Sequence, residues 1–297
     1  MKCVLKKICW SWTLLVFTSC TSLSIKKPFL YALHKDGQTS YIMGTKNGGI
    51  PYNELPLVVH QKLEQAKVVF LENDSVTHKN HRFHFETDEI PSVKEKSYSN
   101  DKTLAPNTWQ FILSKLGAKH SLLELKHASP SSLYDMVVRL PEYLIYIKRS
   151  TSAEWKRQND MDRHFAVDAH ALAKEVRSLD NDETRVQIND CWNEDKIKKL
   201  DNLANGGKPV KVESLWSMEY RSGNESQVAS NIKLDPKLAQ CILSDRNKKW
   251  VPQVIEAHKS NAPLFIAVDV AHLVYGDDNV LELLSKEGFT IERVGLD

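Results

Sequence analysis

Two apolar runs in this 297-residue sequence lead into residues that can move protons or hold ions. VVFLEND (68–74) reads as a short strand that ends at Glu72, and PLFIAVDVAHL (263–273) reads as a strand that ends at His272. Arg246 and Asn247 fall in a helical stretch just before the second run. A third run, SYIMGTKNGGIP (40–51), breaks at glycine, where strand ends often carry active-site residues. In open α/β sheets the carboxyl ends of the strands line the ligand crevice. A carboxylate, an imidazole and a guanidinium gathered there can hold a metal or polarise a carbonyl. Each residue alone also has a plain structural reading, as a core-paired carboxylate or a satisfied boundary histidine.

The elements that would position these residues alternate between strand and helix. FLYALHKDGQTSYIMGT (29–45) predicts a hairpin about Asp36-Gly37, a strong turn signal. Pro56 opens a helix with Leu57, Val58, Leu63 and Ala66 near one face, and the Glu72 strand comes after it. Residues 75–107 are polar and turn-rich and predict a loop or insertion. Helices are expected from Thr108 to Leu116, over 160–180 with a short strand near Val176 to Leu179, and over 182–204, where NGGKP (205–209) stops the chain. LPEYLIYIKRS (140–150) stays open between helix and strand. Residues 234–260 are helical with a kink or break at Pro252, and 279–294 give a helix, a Gly288 stop and a final strand. The pattern is α/β: a central mixed sheet flanked by helices. No linker divides the chain, which predicts a single domain over 20–297.

Residues 1–19 are of another kind. Lys2, Lys6 and Lys7 precede the short apolar run ICWSWTLLVF and the small residues before Cys20, the layout of a secretory signal. Cys20 stands where a bacterial lipoprotein carries its lipid, although Phe17 replaces the usual leucine three positions earlier. Lipidation, simple cleavage and a retained anchor are the three readings. The expected location is the cell envelope, lipid-anchored, and Thr21 rather than Asp after Cys20 favours the outer membrane. No other stretch is long and apolar enough to span a bilayer. Cys3 and Cys9 leave with the signal, and if Cys20 is acylated, Cys191 and Cys241 remain as an even pair, either disulfide-bonded or as two buried thiols. The balance of 40 basic and 38 acidic residues gives no reason to expect nucleic acid as a partner.

The order of these motifs resembles the TraB/GumN family, which includes the metal-dependent TIKI proteases. YIMGTKN before an LP-initiated helix, VVFLEND, DMDRHFAVDAHALAKEVRSLD, LSDRNKKWVPQV and FIAVDVAHLVYGDDNVLELLSKEGFTIERV reproduce the family's series over essentially the whole chain after residue 20. The resemblance implies an erythromycin-esterase-like or TIKI-like fold and a metallopeptidase site built on two Gly-x-x-His motifs and a strand-end Glu. Gly44, Glu72, Arg246, Asn247 and His272 match that pattern. The first motif here reads Gly44-Thr45-Lys46-Asn47, with an amide for the imidazole. The second reads Asp269-Val270-Ala271-His272, with a carboxylate for the glycine, and the expected Leu-Glu is Leu179-Asp180.

An amide oxygen is a poor substitute for imidazole toward zinc-like metals and suits harder cations. Asp269 could restore a charged ligand, but three residues from His272 on a regular strand it would face the other way unless the chain turns at Ala271. THKNHRFHFE (77–86) offers His78, His81 and His84 as substitute ligands or as a solvated basic loop. His60, His164 and His170 read as surface or boundary residues, and Lys46 as an anion holder or a solvated loop lysine. Three functions are compatible with this pattern. In a hydrolase with altered ligands, Glu72, His272 and Asn47 hold a divalent metal and Arg246 steadies the oxyanion, with Gly44, Asn247 and Asp269 lining the crevice. In an inactive relative, the crevice binds a peptide, protein or other ligand. In a scaffold, the strand-end residues only satisfy the core.

Overall fold

The computed structural model describes residues 25, 27–47, 50–74, 76, 98–138, 161–208 and 217–295. The signal-like segment, Cys20, the histidines 78, 81 and 84, and residues 140–150 lie outside them.

Six strands form one mixed sheet: β1 (Leu30–Lys35), β2 (Gln38–Thr45), β3 (Val68–Leu71), β4 (Glu175–Ser178), β5 (Leu264–Asp269) and β6 (Thr290–Arg293), in the order β4-β3-β5-β2-β1-β6. β2, β5, β3 and β4 run parallel, and β1 is antiparallel to both β2 and β6. The β1–β2 hairpin turns where expected: Asp36 and Gly37 both have positive φ, 51° and 73°. A two-residue turn that matches strand twist requires this, and the Asp-Gly pair tolerates it. β5 is central and buried from Leu264 to Val268, as its uninterrupted apolar sequence predicts.

The sheet's main core gathers Phe29, Leu33, Ile42, Val69, Phe165, Trp250 and Phe265 from strands and flanking helices. A second cluster, around Trp109, Ile112, Leu116, Leu125, Leu133 and Leu200, sits among helices away from the sheet. The 23-residue helix Asp182–Ala204 ties the layers together. Its Leu200 enters that second cluster, and its Ile188 packs with Leu238, Cys241 and Ile242. Cys191 on this helix is disulfide-bonded to Cys241, the pairing that two cysteines left in an oxidising compartment would make.

Several expectations are corrected. The Pro56 helix runs Leu57–Gln65 and buries Val59 and Leu63, whereas Leu57 stands 70% exposed at its first turn. Residues 98–107 are not all loop: helices Asn100–Thr103 and Pro106–Leu116 occupy most of them, and Asn100 donates to Leu125 O and Ala128 O. Pro252 does not break its helix, which continues from Asp245 to Asn261. Its buried face of Arg246, Asn247, Trp250, Val251, Val254 and Ala257 outweighs the one hydrogen bond that proline removes. A π-helical stretch, Gln240–Ser244, leads into that helix.

β5 is also shorter than its apolar run. It ends at Asp269, and after Val270 the chain enters the one-turn helix Ala271–Val274, so His272 is helical. Asp269 causes the break by accepting the Ala271 N–H on Oδ1 at 2.8 Å. Gly44 is fitted to this turn. A Cβ on it would lie 3.0 Å from Val270 Cγ2 and 3.1 Å from both Leu273 Cδ1 and Phe29 Cβ. Its place in the motif comes from close packing.

Candidate functional site

The carboxyl ends of β2, β3, β4 and β5 lie along one edge of the sheet and bring the predicted residues together there. Glu72 directly succeeds β3, Asp180 lies two residues past β4, Asp269 ends β5, and Thr45 ends β2 directly opposite Asp269 in the ladder. The Asp245–Asn261 helix inserts Arg246 among them, 8% exposed.

Arg246 organises one half of the crevice. Its Nη2 donates to Glu72 Oε2 at 2.5 Å and to Asp180 Oδ2 at 2.6 Å, and its Nε to Asp180 Oδ1 at 3.3 Å. Nη1 donates to Ile242 O at 3.1 Å and to His272 Nε2 at 3.0 Å. A guanidinium has five N–H groups, and all five are engaged here. The Trp250 ring lies 4.4 Å from the guanidinium carbon, and its Nε1 donates to Asp180 Oδ1 at 2.9 Å. The π-helical stretch supplies the Ile242 carbonyl, and such stretches recur at functional sites.

The histidine's tautomer is set by its neighbours. Asn247 Nδ2 donates to Asp278 O at 2.8 Å, so Asn247 Oδ1 faces His272 Nδ1, 2.6 Å away. His272 Nδ1 must therefore carry the proton, which leaves Nε2 as acceptor for Arg246. Burial and the neighbouring guanidinium hold this imidazole neutral, with a pKa lowered to about 3 against the pull of Glu72. Glu72 is the opposite case. Burial favours its protonated form, but Arg246, His272 and the Asp269 N–H, which donates to Oε1 at 2.6 Å, bring it down to about 2. Burial likewise opposes the Arg246 charge, and Glu72 and Asp180 raise its pKa in spite of it.

The other half of the crevice is built on the first motif. Asn47 is bonded to Asp162. Its Nδ2 donates to Asp162 Oδ2 at 2.5 Å, and its Oδ1 accepts the Asp162 N–H at 3.3 Å, which holds the start of the Met161–Ala171 helix. Lys46, expected as a solvated loop lysine or an anion holder, is 4% exposed. Burial lowers its pKa, and Asp269 and Glu219 oppose that effect. The Tyr220 hydroxyl donates to Gly44 O at 2.6 Å and closes the floor. Asp162 is pushed up to about 8 by burial and by the Glu72 charge, and Asp269 to about 6 by the same two causes. Asp162 Oδ1 and Thr45 Oγ1 are both buried without a hydrogen-bond partner, although the Thr45 hydroxyl is near enough to act on the Asp162 carboxyl. An unmet buried polar atom costs about 1–3 kcal/mol.

Asp162 and Thr45 do not stand out in the sequence as site residues. The signal was present: Asp162 opens the helix that the family motif places there, and Thr45 lies inside the first motif. Among the expected crevice residues, Gly44, Glu72, Arg246, Asn247, Asp269 and His272 do come together. His60, His164 and His170 stay apart as boundary residues, with His164 stacked on Tyr52 and His170 bonded to Asp74.

The set Glu72, His272 and Asn47 does not fit a divalent metal as it stands. The single imidazole lone pair is taken by Arg246, both Glu72 oxygens are engaged, and Asn47 is committed to Asp162. No group of three or more His, Cys, Asp or Glu among the described residues is placed to hold a metal ion.

A mixed sheet with charged residues gathered at its parallel strand ends defines an α/β protein of the strand-end crevice type. The chain belongs to the TraB/PrgY/gumN family, whose pattern matches residues 29–293. No curated protein matches it.

Proposed function

We propose that this TraB/PrgY/gumN protein binds a peptide in its strand-end crevice at the cell envelope and does not turn it over by the metal chemistry its motifs imply. The observation that carries this reading is the saturated Arg246 network. A fixed guanidinium sits between Glu72 and His272, where a metal-using site would place its ion, and keeps no N–H for a developing oxyanion. The changes fit together. Without a histidine at position 47, Asn47 serves as a clamp on the Met161–Ala171 helix, and Asp269 serves as the turn cap after β5. The proposed location, with lipid on Cys20, rests on the sequence pattern of residues 1–20.

The test is metal affinity and peptide turnover of the full chain in mild detergent, beside His272→Ala and Asn47→His. We expect less than about a tenth of an equivalent of zinc or manganese in the native chain, no cleavage of a random peptide library, and retention of some library members. Stoichiometric metal that disappears in His272→Ala, together with cleavage, would overturn the reading in favour of a metal-dependent hydrolase with altered ligands.

A further inference from the structure

We propose that the end of the sheet that carries the crevice rests on the lipid surface that holds Cys20, with Leu57 and Met218 dipping into that surface. The inference rests on the lipid-anchored part of the reading above and adds the face that meets the membrane.

Tether length comes first. Cys20 precedes Ile25 by five residues, and Ile25 is buried in the main core. Five residues span at most about 18 Å when fully extended. Lipid on Cys20 therefore keeps the bilayer within that reach of Ile25, whatever path the chain takes.

Topology decides which end of the sheet this is. β1 opens at Leu30 opposite Met43, near the carboxyl end of β2, and Phe29 O accepts the Gly44 N–H at 2.8 Å. Lys27 O and Pro28 O accept from Arg293, and a Cβ on Gly223 would lie 2.3 Å from Lys27 O. The Phe29 ring stacks on Tyr220, which closes the floor of the first-motif half, with centroids 5.1 Å apart. The tether thus joins the sheet beside the crevice, at the end opposite the Asp36-Gly37 turn.

The same rim carries exposed apolar side chains. A helix that crosses between parallel strands starts where the first strand ends. The first turn of Leu57–Gln65, between β2 and β3, therefore lies at the crevice end. Leu57 there is 70% exposed, and Met218, two residues before Tyr220, is 73% exposed. An ion pair between Glu54 and Arg221 joins the two segments. Single exposed apolar residues are ordinary on a protein surface. What distinguishes these two is their place beside a lipid tether, which presents the bilayer to them at high effective concentration. Charge agrees. Lys27 is exposed and adjoins Lys26 in the sequence, and basic side chains suit anionic headgroups. The carboxylates of Glu54 and Glu225 nearby are paired with Arg221 and Arg293. A crevice held in this way meets ligands that lie along the membrane.

The test uses the full chain, expressed with its signal and reconstituted in vesicles of phosphatidylethanolamine and phosphatidylglycerol. A bimane label is placed on Leu57→Cys, Met218→Cys or Leu123→Cys. Cys191 and Cys241 are disulfide-bonded, so the introduced thiol is labelled alone when Cys20 is acylated. Leu123 is exposed too, but its helix packs on the second cluster, which no strand enters. Mass spectrometry of Cys20 reads the anchor separately. Quenching by spin-labelled lipid at least about threefold stronger at positions 57 and 218 than at 123 supports the proposal. With Cys20 acylated, equal quenching at all three positions leaves the anchor standing and overturns the orientation. If Cys20 carries no lipid, the anchor reading fails, and sedimentation of Cys20→Ser with the same vesicles decides the surface. Binding weakened at least about threefold by Leu57→Ser with Met218→Ser supports it. Binding unchanged by that pair, or no binding at all, overturns it. A dimer in detergent that the same pair dissociates would overturn it in favour of a second copy of the chain.

Discussion

The two halves of the crevice share one sheet edge and differ in how fully their polar atoms are met. In the half built on Glu72, Asp180, Arg246, Asn247 and His272, every guanidinium N–H, both imidazole nitrogens and both Glu72 oxygens have partners. In the half built on Thr45, Asn47, Asp162 and Asp269, two buried oxygens have none. The first is a finished core network, which fixes one geometry, and the second leaves the Thr45 hydroxyl and the Asp162 carboxyl close together without a well-aligned bond. The residues that match the family pattern are concentrated in the finished half, and the departure at position 47 lies in the open one.

The comparison can be broken most forcefully at Arg246. Arg246→Met leaves Glu72 and Asp180 buried without their counter-charge, and a loss of about 3–5 kcal/mol is expected in urea unfolding. A loss below about 1 kcal/mol would mean the closed half is no network. The disulfide braces the approach to Arg246, since Cys241 lies in the π-helical stretch just before it. Cys191→Ser with Cys241→Ser should cost about 2–4 kcal/mol, and Arg246 should be less protected from chemical modification in that variant.

Titration sharpens the contrast. A carboxyl whose folded pKa is raised, as for Asp162 to about 8, takes up protons on folding, so its contribution falls as pH rises toward that value. His272, lowered to about 3, acts in the reverse sense and loses stability as pH falls below the ordinary histidine value near 6.5, so its effect is over by pH 6.5. Stability should thus decline from about pH 6.5 to about pH 8, and Asp162→Asn should flatten that decline. An unchanged slope in the variant would remove Asp162 as its source. The smallest effect is Thr45→Val, which keeps the shape and deletes an unmet hydroxyl. A gain of about 1 kcal/mol is expected. Ser40 provides the control, because its hydroxyl bonds both His258 and the Leu264 N–H, and Ser40→Ala should cost about 1–2 kcal/mol instead.

Much of this was legible in the sequence. The Asp36-Gly37 hairpin, the apolar runs of β3 and β5 and the helix 182–204 come from turn chemistry and periodicity, which are local. Glu72, Arg246, Asn247 and His272 were legible because strand ends and the family's motif order mark them. The illegible remainder depends on contacts between distant segments. Asp162 reads as an ordinary helix-start carboxylate until Asn47, 115 positions away, is seen to hold it. Lys46 reads as a loop lysine because a flexible polar side chain after a strand is usually solvated, and its buried charge is supported by Asp269 and Glu219, which the sequence places far away. The end of β5 was misplaced because Val270, Ala271 and Leu273 are as apolar as the strand itself. The signal that ends it is a single side-chain bond from Asp269.

The π-helical stretch at Gln240–Ser244 makes chain length itself a constraint. It holds about one residue more per turn than an α-helix would over the same rise, so it sets the angular phase between the Pro236–Ala239 helix before it and the Asp245–Asn261 helix after it. Trp250, Val254 and Ala257 fix the latter helix on the sheet. Deleting Leu243 or Ser244 would return the stretch to an α-helix over the same rise, so Arg246 would stay in place and Cys241 would keep nearly its present phase toward Cys191. What such a deletion would cost is the widened turn itself, whose Ile242 carbonyl accepts from Arg246 Nη1.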